Sequence, residues 1–172
     1  MPSCPNHPAR SVRLGFLSLA ALVFAALPSA HAAEPPQWWG NLNLASKHFG
    51  SERKFLSEGE SFNEFNPGIG IEVQWQPRHA VAVGYYLNSV DEDSLYALYQ
   101  YTPLALGRFV RVGGMVGVVT GYPGYNDGGL APGGGLVAKI EGERFGANLV
   151  FLPEISDITP NTLGLQLKYR FR

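Results

Sequence analysis

Between Gly40 and Arg172 apolar side chains recur at every second position, and the set they form carries no charge. Ile69, Ile71, Val73 and Trp75 begin it, Val81, Val83, Tyr85 and Leu87 continue it, and Leu163, Leu165, Leu167, Tyr169 and Phe171 close it. Successive side chains of a strand point to opposite faces, so this parity class occupies one face of a sheet. The other class is small or polar, with Gly68, Gly70, Ala82, Gly84, Gly117, Gly133, Gly135 and Gly164 among its members. A soluble sheet turns its charges outward and its bulk inward. Here the glycine-rich face is too small for a solvated exterior and suits a lumen, while the uncharged face suits lipid. An Arg or Lys facing the bilayer midplane costs about 2–4 kcal/mol, which accounts for a belt without charge. The rival is an exported soluble barrel or sandwich with the same apolar residues sealed inside.

No segment of this region has a helical period, and Gly, Pro, Asn and Asp punctuate it at short intervals. Eight strands are expected, near residues 40–49, 68–76, 80–88, 94–102, 108–120, 131–141, 144–152 and 162–171. The connections at one end are tight, whereas the other end carries the longer loops. Short turns on one side and long loops on the other, with an even strand number, predict an all-β fold: an eight-stranded antiparallel transmembrane β-barrel.

Residues 1–32 read as a cleaved signal peptide. Arg10 and Arg13 precede an apolar run from Leu14 to Leu27, followed by small residues at the cleavage positions. The run is too short for a spanning helix. The barrel domain is then 33–172, and its expected location is the cell outer membrane. Cys4, the chain's one cysteine, lies in the leader, so no disulfide, thiol nucleophile or thiolate metal site is expected in the mature domain. Loss of Arg10 and Arg13 takes the formal charge from −1 to −3. That balance offers neither a nucleic-acid footprint nor a polybasic membrane patch. A monomer without metal or cofactor is expected.

The inward class divides by depth. Glu72, Gln74, Gln76, Gln100, Arg111, Asn148, Gln166 and Lys168 fall in the half near the short turns, and Gly70, Gly84, Leu98, Met115 and Gly117 in the half near the loops. A dry, small-residue upper lumen predicts a cavity for an acyl chain, with Gly70, Gly84, Leu98, Met115 and Gly117 binding the substrate. The bland reading is that these residues merely make room for Tyr86, Tyr96 and Met115. At the rim, His48 could serve as a base beside the Ser89 hydroxyl, with Asn88 holding the imidazole. A hydrogen-bonded rim cluster is the simpler reading of the same residues. Strict alternation from Leu42 and Leu44 puts His48 on the lipid side, so a bulge, or a strand that ends before Lys47, is needed to bring it in. His79 reads as a solvated turn residue.

Several short segments stand in one order: His48 ending the first strand, Phe62-Asn63-Glu64, Pro67-Gly68-Ile69-Gly70, Asn88-Ser89, Thr102-Pro103-Leu104, Gly117-Val118-Val119-Thr120, Leu152-Pro153, and Tyr169-Arg170-Phe171. Together, from about Leu44 to Phe171, they resemble the lipid A palmitoyltransferase (PagP) family of outer-membrane barrels. The resemblance implies an acyltransferase that moves a palmitoyl chain from a phospholipid donor to lipid A. It assigns His48 and Ser89 to the family's functional His and Ser, with Asn88 where the family has Asp, which removes a charge that could stabilise an imidazolium. It also places Pro67, Pro132 and Pro153 where the family opens its wall to lipid. The family's N-terminal amphipathic helix is replaced here by a segment with Trp38 and Trp39. A non-catalytic barrel of the same ancestry, binding a lipid or a surface partner, is the alternative. A lipid A deacylase ranks third, because no His-x-Ser-Asn segment is present.

Overall fold

The computed structural model describes residues 35–50, 61–155 and 159–171. The leader at 1–32 and the terminal Arg172 lie outside the described residues. Eight strands close into one antiparallel barrel in chain order: β1 (Gln37–Phe49), β2 (Phe65–Gln76), β3 (His79–Leu87), β4 (Asp93–Leu106), β5 (Val110–Val119), β6 (Ala131–Glu141), β7 (Phe145–Leu152) and β8 (Asn161–Arg170). β1 pairs with both β2 and β8, which closes the ring. One single-turn 3-10 segment, Asn126–Gly128, is the helix among the described residues.

The parity reading holds. Ile69, Ile71, Val83, Leu95, Val116, Leu136, Leu149, Leu163 and Leu167 are exposed on the outside, whereas Glu72, Gln74, Gln100, Lys139, Asn148 and Lys168 are buried inside. Ile71 and Val83 face outward rather than filling a sealed apolar core, which removes the soluble rival. This inside-out distribution is that of a transmembrane barrel.

Outward rings gather near the short turns. Trp75, His79, Tyr99 and Tyr101 form one stack, with the His79 and Tyr101 centroids 4.9 Å apart and His79 Nδ1 2.6 Å from the Tyr99 hydroxyl. His79 is therefore a member of an aromatic girdle rather than a solvated turn residue. Phe145 and Tyr169 continue the girdle with centroids 5.3 Å apart. At the same end, β4 runs through Pro103 to Leu106 instead of turning there. The register with β5 shifts between Tyr101 and Leu104, and that bulge takes up a proline that has no N–H to give. Gln76, expected in the lumen, is exposed, because the register also shifts between Gln74 and Gln76.

The lower lumen is a polar plug centred on Glu72. Lys139 and Lys168 donate to Glu72 Oε1 at 2.8 and 2.7 Å, and Asn148 donates to Oε2 at 3.0 Å. Lys139 also reaches Gln74 at 3.2 Å, and Lys168 reaches Glu141 at 2.7 Å. Below them the Lys168 ammonium sits 4.4 Å from the centre of the buried Trp39 ring. Two carboxylates and two ammonium groups thus neutralise one another away from water. Removing one partner of such a cluster leaves an uncompensated charge and costs about 3–5 kcal/mol. Glu72→Gln is expected to lower the urea unfolding free energy of the refolded barrel by that amount. Replacing Glu72, Lys139 and Lys168 together by apolar residues of similar size should cost much less.

Candidate functional site at the upper rim

Above the plug the barrel is hollow. A cavity of about 440 Å³ is walled by apolar side chains, including Leu98, Met115, Val119, Val150 and Leu152. Tyr96 is its floor. The Tyr96 ring stands edge-on to Tyr86 at 5.9 Å, and its hydroxyl meets Gln166 in the polar layer below. Gly70 and Gly84 make room for this ring: a Cβ at either would lie 2.3 or 2.6 Å from Tyr96 atoms. They sit behind Tyr96 and not on the cavity wall. Gly117 also lies off the wall, and its missing Cβ lets the backbone approach Ala97. Of the five residues expected to bind an acyl chain, Leu98 and Met115 therefore face the space. The bulky-packing reading describes Gly70 and Gly84.

His48 reaches the cavity because β1 carries a bulge. Against β8 the step from Asn43 to Ala45 faces only Gln166 to Leu165, so Leu44 is an extra residue there, while against β2 the same step faces Gly68 to Phe65 and the extra residue lies on β2. Leu42 before it is outward at 45% exposure, and His48 after it is inward at 6%. One inserted residue reverses every side chain beyond it. The imidazole stacks on Phe62 with centroids 4.2 Å apart. The neighbouring Asn63 N–H donates to the Ser89 carbonyl at 2.9 Å, which ties the loop between β1 and β2 to the β3–β4 turn. Through this strap His48 and Ser89 line the same cavity. Ser46 and Asn66, bonded side chain to side chain at 2.6 Å, brace the strap from below.

Asn88 has a different task. Its amide nitrogen donates to Ser94 Oγ at 2.9 Å and to the Gly121 carbonyl at 2.6 Å. Its amide oxygen accepts from the backbone of Val90 and Glu92 at 2.9 and 3.0 Å. The side chain is fully buried and spent on shaping the turn that presents Ser89, so it does not hold His48. Tyr122 and Tyr86, with hydroxyls 2.9 Å apart, complete the rim beside Ser89. Burial raises the Tyr122 phenol pKa, against the opposing pull of its bonds to Tyr86 and Ser89, so it stays protonated at neutral pH. Tyr122 and Phe62 were not expected as site residues. They lie in loops, where period-two patterning has nothing to say.

The prolines mark different places. β6 pairs with β5 from Ala131 to Ile140, but with β7 only from Leu136 to Glu141. Residues 131–135 of β6 therefore lack ladder pairs on the β7 side, beside the cavity wall. Pro132 stands in this unpaired stretch and Pro153 follows the end of β7. Pro67 lies on β2 opposite the Leu44 bulge and away from the cavity.

No known family profile matches the chain, and no curated protein matches it. Among solved structures, the solution NMR structure of de novo designed TMB2.3 aligns at 13% identity with a TM-score of 0.53, covering 79% of this chain and 96% of that one. The N-terminal β-barrel domain of Pseudomonas aeruginosa OprF aligns at 14% identity with a TM-score of 0.49, covering 80% of this chain and 100% of that one. The likeness to the designed barrel shows the fold and does not bear on the chemistry of the rim.

Because Asn88 faces the Gly121 carbonyl with its NH₂ group, an Asp there would set oxygen against oxygen in a buried site. Asn88→Asp is expected to lower stability by about 1–3 kcal/mol, read as a drop in the thermal unfolding midpoint. An unchanged or higher midpoint would mean that these amide bonds do not shape the turn.

Proposed function

We propose that the chain is an outer-membrane acyltransferase that takes a fatty acyl chain, palmitoyl in the first instance, from a phospholipid and transfers it to lipid A. The observation that supports this reading is the apolar cavity of about 440 Å³ whose lining includes both His48 and Ser89. Its volume falls in the range of about 300–1,000 Å³ usual for small-molecule sites. Residues 1–32, as a leader, would deliver the barrel to that membrane. The donor's acyl chain lies in the cavity, with its ester carbonyl at the rim. The unpaired stretch between Pro132 and Pro153 gives a lipid a lateral way in, since no ladder bond there must break.

In this mechanism His48 takes the proton of an acceptor hydroxyl as that oxygen attacks the ester carbonyl. The Ser89 hydroxyl donates a hydrogen bond to the oxyanion that forms. Collapse of the tetrahedral intermediate breaks the donor's ester bond. The departing lysophospholipid alkoxide recovers the proton from the imidazolium, so the enzyme ends as it began. The polar plug around Glu72 keeps water from reaching the intermediate from below.

A non-catalytic lipid-binding barrel is the second reading, and the commitment of Asn88 to its turn favours it, since no carboxylate or amide at that position steadies the imidazole. Lipid A mass spectra from cells with and without the protein separate the two. The transferase reading expects an added acyl chain that falls about 10²–10⁴-fold with His48→Ala and about 10²–10³-fold with Ser89→Ala. Identical spectra from cells in which the barrel is present and folded would overturn it in favour of binding alone.

A further inference from the structure

The described charges separate along the barrel axis. At the loop end stand Glu64, Asp91, Glu92, Asp93, Asp127 and Glu154, with Lys47 the one described cation, paired to Glu64. At the turn end every tight turn carries an arginine: Arg78 before β3, Arg108 before β5 and Arg144 before β7, and Arg170 ends β8; the acids described there are Glu143 and Glu141, the latter paired to Lys168. Among the described residues none of these four guanidinium groups has a carboxylate within ion-pair distance. A formal charge of −3 for residues 33–172 therefore conceals a local excess of arginines at the turn end.

Two of the arginines share a groove. Arg170 N–H donates to the Arg144 carbonyl at 2.7 Å, which sets the residues side by side where the β6–β7 turn meets the end of β8. Between them lies an open recess of about 290 Å³ lined by Glu143, Arg144, Tyr169, Arg170 and Phe171. Its apolar members, Tyr169 and Phe171, are exposed on the outer surface, and Tyr169 packs with Phe145 in the aromatic girdle. Such girdles lie at the level of the headgroups. The Arg170 guanidinium stays 5.5 Å from the Trp39 ring, which limits its freedom. A planar guanidinium can grip two phosphate oxygens at once, and it is more weakly hydrated than an ammonium.

We propose that the groove between Arg144 and Arg170 binds the phosphodiester headgroup of an anionic phospholipid in the leaflet on the turn side, with the lipid's chains running up the wall over Phe145 and Tyr169. This site is independent of acyl transfer at the other rim and requires only that the barrel span a bilayer. It anchors the short-turn end, setting the depth of the barrel, and it gives these arginines a partner of opposite charge.

The test is native mass spectrometry of the full barrel in detergent with equal amounts of phosphatidylglycerol and phosphatidylcholine of the same chains. Each arginine near a lipid surface contributes about a fivefold preference for the anionic lipid. The wild type is expected to retain phosphatidylglycerol about 25-fold over phosphatidylcholine on that basis. Arg144→Gln should lose about fivefold of this, Arg144→Gln with Arg170→Gln nearly all, and Glu143→Gln, which removes the groove's carboxylate, should strengthen retention. His48→Ala should leave the preference intact, which separates this site from the acyl-transfer reading. Equal retention of the two lipids, or an undiminished preference in the double variant, overturns the proposal. Displacement of the lipid by an equal concentration of inorganic phosphate would mark a free-anion site and overturn it too. A chain that stays monomeric in water without detergent would take down the membrane placement itself.

Discussion

Hydrocarbon offers no water to a backbone amide, and an unsatisfied N–H or C=O there costs several kcal/mol. Every strand in a bilayer must therefore be paired on both sides, and a sheet meets that demand only by closing on itself. The ring from β1 round to β8 is the direct consequence. Closure fixes which residues face lipid, and the faces left inside must then satisfy one another. The ion cluster of Glu72, Lys139 and Lys168 is the result at the lower level, where a small lumen has no room for water in bulk. Higher up the demand is met by apolar side chains and by Tyr96, whose hydroxyl touches the polar layer while its ring faces the hollow.

The interesting places are those where the regular ladder is interrupted. The extra Leu44 turns His48 from the lipid side to the lumen. The shift after Tyr101 carries Pro103 without ending β4. Between β6 and β7 the ladder stops at Leu136, and the missing pairs adjoin the cavity rather than the plug. The first and third of these interruptions border the cavity, whereas the second lies at the short-turn end.

Much of this was legible in the sequence, for a reason that also sets the limit. Parity is a property of neighbouring residues, so strand positions, faces and the division of the lumen followed from alternation alone. Lys139 shares its parity with Gly133 and Gly135 and could have been placed inside by the same rule, yet its charge drew no attention without a partner in view. Alternation showed that His48 needed a bulge or an early strand end to face inward, but not that the extra residue is Leu44. What alternation could not supply were contacts between segments distant along the chain. The use of Asn88 on the Gly121 carbonyl, the stacking of Phe62 on His48, and the room that Gly70 and Gly84 leave for Tyr96 all depend on tertiary approach. Net charge is silent for a related reason, since a sum discards position and the arginines at the turn end are gathered only in position.

The direction in which the apolar wall faces decides whether the barrel can sit in a bilayer. Nitroxides placed one at a time at Ile71, Leu149 and Gln100, in a chain with Cys4 replaced, can be probed in liposomes by dissolved oxygen, which enters hydrocarbon, and by a nickel chelate, which does not. The labels at Ile71 and Leu149 should be relaxed by oxygen and untouched by nickel, and the label at Gln100 shielded from both. Free access of the nickel chelate to Ile71 and Leu149 would contradict the inside-out barrel and every functional reading built upon it.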